Sequence, residues 1–451
     1  MYIQESDSQK GQYALYGMPG LQQVAALPSG PVRGLYEATN GRVFATTSTS
    51  LFEIFSGWSF LSRGTIPTGT DLVYLVDNGI DLVISAQGQG FRMPFATNVL
   101  TALPTTGPQT WGRVQYLDGY VLVNEVGTQR FWWSALLDAG TWPALNFSAA
   151  DARPDLLTTL FVDHREIYLL GTQSTEIWQS TGNSLAPFAR SSAIFLEQGC
   201  EARNSVAALD NTLFFLGGSP RGEGPVWNLR GYEPTRISTH ATETALSQSF
   251  ALADSIAFTV RHGGHAWFCL YVADLDTTWI FDRATSAWME LAELLDDGTL
   301  APYRCWTHCL AFGDHLWGDR GSGALYVWSA DWYYYGDKPI YRERTAPHVR
   351  NDQQPVVYST FEVVMETGIG LDGSPPVGAD PQVMMQYSDD GGRAWSYPLW
   401  RSAGPIGART RLVRWRRLGR SKSNRCFRIV ITDPVFVAIL GARLEVSSTT
   451  P

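Results

Sequence analysis

Asp118-Gly119-Tyr120-Val121-Leu122-Val123 decides the reading of the fold, because the same arrangement returns along the chain. An Asp-Gly pair tolerates the two left-handed backbone positions of a tight hairpin turn, and the apolar run after it reads as a buried strand. Outward from this stretch, equivalent turns stand at Asn40-Gly41, Asn78-Gly79, Asp163-His164, Asp210-Asn211, Gly263-Gly264 and Gly313-Asp314. Each is followed by a strand such as Ile167-Tyr-Leu-Leu170 or Leu213-Phe-Phe-Leu216. A further strand carrying an aromatic follows a little later: Leu51 to Phe55, Phe131 to Trp133, Glu176 to Trp178, Trp279 to Phe281, Leu325 to Trp328. A period of roughly 40–50 residues built from short strands is the signature of a β-propeller, with packed β-sandwiches as the alternative. The expectation is an all-β chain with an irregular propeller of six or seven blades over residues 34–338, after an N-terminal arm at 1–33. Thr278-Trp-Ile-Phe-Asp282 with Trp288 reads as a kelch-type blade strand, and Glu243 to Ala253 as a helix between blades.

The pattern stops after Trp332-Tyr-Tyr-Tyr335. Pro339 to Gln354 is polar and reads as a linker opening a C-terminal region, 339–451. Strands of another kind follow: Val356 to Met365, Gln382 to Tyr387, Arg409 to Leu418, Cys426 to Thr432 and Phe436 to Val446. They suit a β-sandwich-like platform or docking domain whose longest loop is Gly368 to Asp380.

Composition agrees. Of 451 residues 44% are hydrophobic, 13% aromatic and only 17% charged, which excludes coiled coils, long-helix bundles and disordered tails. No apolar run reaches the ~18 residues of a membrane helix. Met1 to Lys10 lacks the basic-then-apolar order of a secretory signal, so folding in a cytoplasm is expected. Five scattered cysteines, Cys200, Cys269, Cys305, Cys309 and Cys426, imply no disulfide framework.

Charge is segregated. Arg409, Arg411, Arg414, Arg416, Arg417, Arg420, Lys422, Arg425 and Arg428 lie in one stretch without an acid, while the rest of the chain sets 25 bases against 43 acids. An acidic body repels nucleic acid on average. In a strand, Arg414 and Arg416 point one way and Val413, Trp415 and Arg417 the other. The band suits docking to an acidic protein surface or between subunits, a solvated strand paired with the acidic body, or contact with DNA. For docking, the interface residues are Arg409, Arg411, Arg414, Trp415, Arg416, Arg417, Arg420 and Lys422, with Trp415 as apolar anchor.

Nothing carries catalysis. Cys305-Trp-Thr-His308-Cys309 invites a metal reading, yet on a strand its cysteines stand roughly 13 Å apart, too far to share an ion. His262-Gly-Gly-His265 reads as a glycine turn. There is no HExxH, Walker A loop or GxSxG elbow. Ser388-Asp-Asp390-Gly-Gly392-Arg-Ala-Trp395 resembles the Asp-box of sialidases, with Ala394 in place of Thr, so a propeller glycosidase is the alternative function. A single box outside the repeats reads as a turn device, and the spacing of Glu197, Glu201 and Glu243 singles out no acid/base pair. No catalytic residue, cofactor or metal is assigned.

The ordered series Ser174-Thr-Glu-Ile-Trp178, Thr181-Gly182, Pro187-Phe188-Ala-Arg190, Glu197-Gln-Gly-Cys200 and Asn211 to Gly217 is similar to a known family. The series continues through Gly231-Tyr-Glu-Pro-Thr-Arg236-Ile-Ser-Thr-His240 with Glu243, then Gly264-His265, Thr278-Trp279, Asp282, Trp288 and Arg414-Trp-Arg-Arg-Leu-Gly419. Gly34-Leu-Tyr36 and Asp77-Asn-Gly79 extend it more loosely to the N-terminal part. The resemblance is to the packaged-DNA stabilisation proteins of short-tailed bacteriophages, which form the tail hub or nozzle. It implies a non-enzymatic virion protein assembled in the host bacterial cytoplasm as a ring, a homohexamer, below the portal and head-to-tail adaptor. Such a ring extends the DNA channel, retains the packaged genome, supports the tail needle or fibres, and passes double-stranded DNA at ejection without sequence-specific binding. The band then places the C-terminal domain at the subunit or adaptor interface, with the propeller projecting away from the head.

Overall fold

The computed structural model describes residues 1–5, 13–218, 224–349, 354–372, 377–422 and 424–448. Each of the sequence-predicted hairpin turns joins the first strand of a sheet to its second. In the central one Asp118 (φ 49°) and Gly119 (φ 91°) take the left-handed positions, with Leu117 opposite Tyr120. Two turns sit one residue away from the expected pair: His164-Arg165 and Phe312-Gly313 occupy the positive-φ positions, opposing Asp163 to Glu166 and Ala311 to Asp314.

Seven such sheets follow one another, so the blade count is seven. Their first strands are Gly34–Glu37, Tyr74–Asp77, Trp111–Leu117, Leu157–Asp163, Ala207–Leu209, Ile256–His262 and Cys305–Ala311. These are innermost: Tyr74–Asp77 touches both Gly34–Glu37 and Trp111–Leu117, and Cys305–Ala311 closes the circle onto Gly34–Glu37. The aromatic strands found in the sequence are the third strands, for example Arg130–Trp133 and Thr278–Asp282. The seventh blade takes its fourth strand from the N-terminal part, Gly20–Ala26, which pairs beside Ala324–Ser329. Only part of the stretch expected as an arm at 1–33 thus closes the propeller; Tyr2–Glu5 and Tyr13–Tyr16 belong to a sheet of the other unit.

Second strands explain why the blades pack. Asp81–Ala86 and Tyr120–Glu125 are buried along their whole length. Alternation sends Leu82 and Ile84 into the core shared with the first blade, and Val83 into the core shared with the third. Leu122 and Val121 divide in the same manner between the fourth and second blades. A two-residue period thus feeds two interfaces from one strand.

The helix between the fifth and sixth blades is His240–Leu246, earlier and shorter than expected. Thr239 sets its start, its hydroxyl accepting from the Thr242 N–H at 3.2 Å. Beyond Leu246, Ser249 donates to Asp274 at 2.5 Å, and only a 3-10 turn, Leu252–Asp254, forms. Helical continuation loses to that bond and to the local one in which the Ser249 hydroxyl accepts from the Ala251 N–H at 3.0 Å.

Contacts divide the chain into one unit of residues 23–292 and 300–327, which is the propeller, and another of residues 1–22, 293–299 and 328–451. The pattern-based boundaries at 33/34 and 338/339 follow sequence periodicity, whereas this division follows packing. In the second unit Tyr2–Glu5, Tyr13–Tyr16, Ala438–Ser448, Val356–Met365 and Val413–Arg416 form one sheet in that order. Arg342–Thr345, Cys426–Ile431, Gln382–Ser388 and Leu399–Ser402 form the other. Between them lie Tyr358, Phe361, Val383, Met385, Trp415 and Phe427. Arg342–Thr345 falls in the stretch expected as linker; its charged sequence hides an edge strand whose Arg342 is buried and donates to the Asp433 carbonyl at 3.1 Å. Residues 350–353 of that stretch, and 373–376 of the long loop, lie outside the described residues.

Candidate assembly surface

The basic band does not run as one strand. Val413–Arg416 is paired to Val356–Met365, but Arg417 turns to φ 60° and the chain steps across to Arg420–Ser421. Alternation holds within the short strand: Val413 and Trp415 are buried, Arg414 is half-buried and Arg416 exposed.

Trp415, expected as an anchor at the surface, is a core residue. It is 1% exposed, its ring packs at a tilt 5.9 Å from that of Phe361, and its indole N–H donates to the Leu399 carbonyl at 2.9 Å. The inward half of the alternation, which the pattern alone left without a partner, is filled by the sandwich itself. Three cations of the band are also used internally. Arg414 pairs with Glu362, Arg425 grips Asp389, and Arg428 donates to Gln386 at 2.7 Å and lies 4.1 Å over the Trp395 ring.

What remains is a margin of the sandwich where the edge strands of both sheets meet. Arg401 Nε donates to the Arg414 carbonyl at 3.0 Å, and the Trp415–Leu399 bond stitches the same two strands. Arg401, Arg409, Arg411, Arg416, Arg417, Arg420 and Lys422 are exposed there, and none is in an ion pair among the described residues. Apolar side chains accompany them: Tyr397 is 91% exposed, and Trp400, Ile406 and Leu412 are also open to solvent. Charge on an edge strand discourages unwanted pairing. Exposed aromatics among arginines do more, since that combination makes anchors at protein interfaces. No sequence signal marked Tyr397 and Trp400, because they precede the band and join it only where side-chain bonds link edge strands of the two sheets.

The Asp-box-like turn adjoins this margin, Asp390 and Ala394 lining one cavity with Tyr397 and Leu399. In the Asp-box-like turn Asp390 Oδ1 accepts from the N–H groups of Arg393 and Ala394 at 3.0 and 2.9 Å, which is a turn device. Those bonds and one from Ser388 hold the Asp390 carboxyl below the usual range. Glu197 and Glu201 line a cavity of about 500 Å³ with Arg153. Glu243 is elsewhere, on the helix; burial opposes its ionisation, but bonds from Arg236 and Ser238 prevail and hold its carboxyl low. Cys305 and Cys309 lie on one strand, and burial pushes the Cys309 thiol up to about 12. Among the described residues no group of three or more His, Cys, Asp or Glu is arranged to hold a metal ion.

Known proteins supply the remaining comparison. Residues 1–333 match the family model described as bacteriophage P22 Gp10, beta-propeller, and residues 341–447 match bacteriophage P22 Gp10, beta-sandwich. No curated protein sequence matches the chain. Among solved structures, the extracellular domain of a one-component system from B. thetaiotaomicron has 10% identity and a TM-score of 0.46, covering 86% of this chain and 48% of its own. The chain thus spans about half the length of that protein. The S. cerevisiae complex of dbp5 with nup159 and gle1 contains a match at 8% identity and TM-score 0.45, covering 71% of this chain and 96% of that one. With both matching segments in the order of the two units, and together spanning nearly all of its length, the chain belongs to the bacteriophage P22 Gp10 family of tail hub or nozzle proteins in short-tailed phages.

Proposed function

We propose that this chain forms a hexameric ring of the phage tail, below the portal and the head-to-tail adaptor, that extends the DNA channel and retains the packaged genome. The ring also supports the tail needle or fibres, is assembled in the host bacterial cytoplasm, and performs no catalysis. The observation that carries this reading is the uncompensated basic and aromatic margin on an otherwise acidic chain of this family. Arginine forks find bidentate partners on acidic protein surfaces, and covering the margin relieves its self-repulsion. An acidic wall, by contrast, conducts duplex DNA without gripping its phosphates.

In this reading DNA runs through the lumen of the ring, not along the axis of a propeller. The axis is crossed by the chain itself. Asn204 bridges Ile256 of the sixth blade and bonds Tyr74 of the second, while Arg113 of the third donates to the Val206 carbonyl at 2.9 Å.

The test is charge reversal at the exposed arginines. Arg416→Glu, Arg417→Glu and Arg420→Glu together are expected to leave unfolding within about 0.5 kcal/mol of the parent, because all three side chains are exposed and none is in an ion pair among the described residues. Ring formation or docking onto DNA-filled heads should be lost, and high salt should imitate the loss. Arg414→Glu is unsuitable, since it sets a carboxylate against the buried Glu362. Native mass measurement and copy number in particles are the readouts; a triple variant that assembles normally overturns the assignment of this margin.

A further inference from the structure

At the end of the propeller axis where the innermost strands begin, Tyr74, Arg113, Asn124, Thr159, Arg203 and Asn204 line a cavity of about 160 Å³. Arg113 is the group that needs a partner. Its guanidinium lies 5.5 Å from the Tyr74 ring and 4.6 Å from that of Phe161, and makes one hydrogen bond, to the Val206 carbonyl. Its Nε is buried without an acceptor, and no carboxylate pairs with it among the described residues. Burial disfavours its charge, and the titratable groups that oppose this are only Tyr74 and Cys200.

Arg33, another buried guanidinium, is compensated more fully, although its Nη2 also lacks a partner and the Asp71 carboxylate favours its charge. It donates to the carbonyls of Asp71, Ser48 and Pro67 at 2.6, 3.2 and 3.1 Å. Arg113 has one carbonyl where Arg33 has three. A desolvated cation with so little compensation is costly unless an anion completes it. The same cavity wall holds a second guanidinium, Arg203, half-exposed, and the Asp71 carboxylate, which among the described residues is its ion-pair partner at 3.4 Å and which an incoming anion would have to displace from it. It also holds Thr159, whose buried hydroxyl has no partner. Asn124 takes up its acceptor on the Arg113 backbone N–H at 2.8 Å, which turns the donor end of its amide to other partners.

We infer that this axial cavity binds a small oxyanion between Arg113 and Arg203. The cavity has room for phosphate or a short carboxylate together with water. Planar guanidinium forks and a hydroxyl donor are the groups that read such an anion. The bound anion would also pin residues 203–206, which tie the second, third and sixth blades together, so binding should register as stability of the propeller.

The full chain in a phosphate-free buffer is titrated with sodium phosphate, and separately with sodium acetate, each against sodium chloride at equal ionic strength. Thermal unfolding and calorimetry are the readouts. A saturable rise in Tm and a measurable heat with phosphate are expected, and saturation by acetate instead would support the site with a carboxylate ligand. Arg203→Gln is expected to weaken binding at least tenfold, and Arg113→Gln to abolish it. Should Arg113→Gln fail to fold, Arg203→Gln and Thr159→Val carry the test. If neither anion differs from chloride, or Arg203→Gln binds as the parent does, the inference is wrong.

Discussion

Asp389→Ala is expected to destabilise the sandwich by about 3–4 kcal/mol, more than Arg425→Met at about 2 kcal/mol, although the two residues form one pair. Arg425 is 2% exposed and grips Asp389 through Nε and Nη2 at 2.6 and 2.7 Å. Its Nη1 donates to the Leu418 carbonyl at 2.6 Å, and its plane lies 4.5 Å from the Tyr358 ring and 4.1 Å from that of Tyr387. Asp389, in contrast, is 39% exposed. Removing the carboxylate strands a cation inside the sandwich, whereas removing the arginine leaves a carboxylate that water can rehydrate and a Met that fills much of the space. Native-state hydrogen exchange at Cys426–Ile431 reads the difference. The Asp389 variant should exchange roughly a hundred to a thousand times faster, the Arg425 variant roughly thirtyfold. Equal effects, or a larger one for Arg425→Met, would show that burial does not set the asymmetry.

Acid is expected to weaken the propeller through one imidazole pair. His308 Nε2 and His315 Nδ1 are 2.8 Å apart, so one ring must donate and the other accept. His308 also packs 4.5 Å from Trp317. Burial, and secondarily His315, pushes His308 down to about 3, and burial lowers His315 despite the opposing charge of Asp314. His262 of the sixth blade faces His315, and His265 beside it is bonded to Asp282 at 2.8 Å. In the folded protein the His308 ring therefore stays neutral where the unfolded chain, with an ordinary histidine value near 6.5, takes up a proton. The unfolded state binds more protons below that value, so this contribution is complete above about pH 6.5 and is lost progressively as pH falls toward 3. At pH 4.5 the loss is about 2 kcal/mol after allowing for the part of the ring that remains exposed. Urea unfolding at pH 7.5 and 4.5 should show a pH-dependent difference smaller by that amount in His308→Gln. An unchanged difference would remove His308 as its source.

These two sites differ in how they relate to the sequence. His308 was visible as part of Cys305-Trp-Thr-His308-Cys309, and strand spacing correctly separated its cysteines along the strand. Its actual partner comes from the neighbouring strand, where register sets Trp317 opposite His308 and brings His315 within reach. Arg425 was visible only as one base among nine. Nothing local distinguishes it from Arg416 or Arg420, because burial of a charge is decided by what packs around it.

What the sequence by itself determined is everything carried by short-range stereochemistry. The turn pairs Asn-Gly, Asp-Gly, Gly-Gly and Asp-Asn place the hairpin in five blades, and in the other two the turn falls within one residue of the pair read from the sequence; the alternation of second strands supplies both faces of the blade interfaces. The split of acidic body and basic band is likewise a matter of composition. The tertiary structure alone decided which distant segments meet. It brought Gly20–Ala26 beside Ala324–Ser329 to close the last blade, and set Tyr2–Glu5 and Tyr13–Tyr16 beside Ala438–Ser448. It turned Trp415 into the core and left Tyr397 and Trp400 outside. It also gathered Arg113, Thr159 and Arg203 from three places along the chain around one cavity. The physical reason is that a turn or an alternating strand is specified by neighbours in sequence. The burial of a tryptophan, or the lack of a counter-ion for an arginine, depends on surfaces contributed by residues tens to hundreds of positions away.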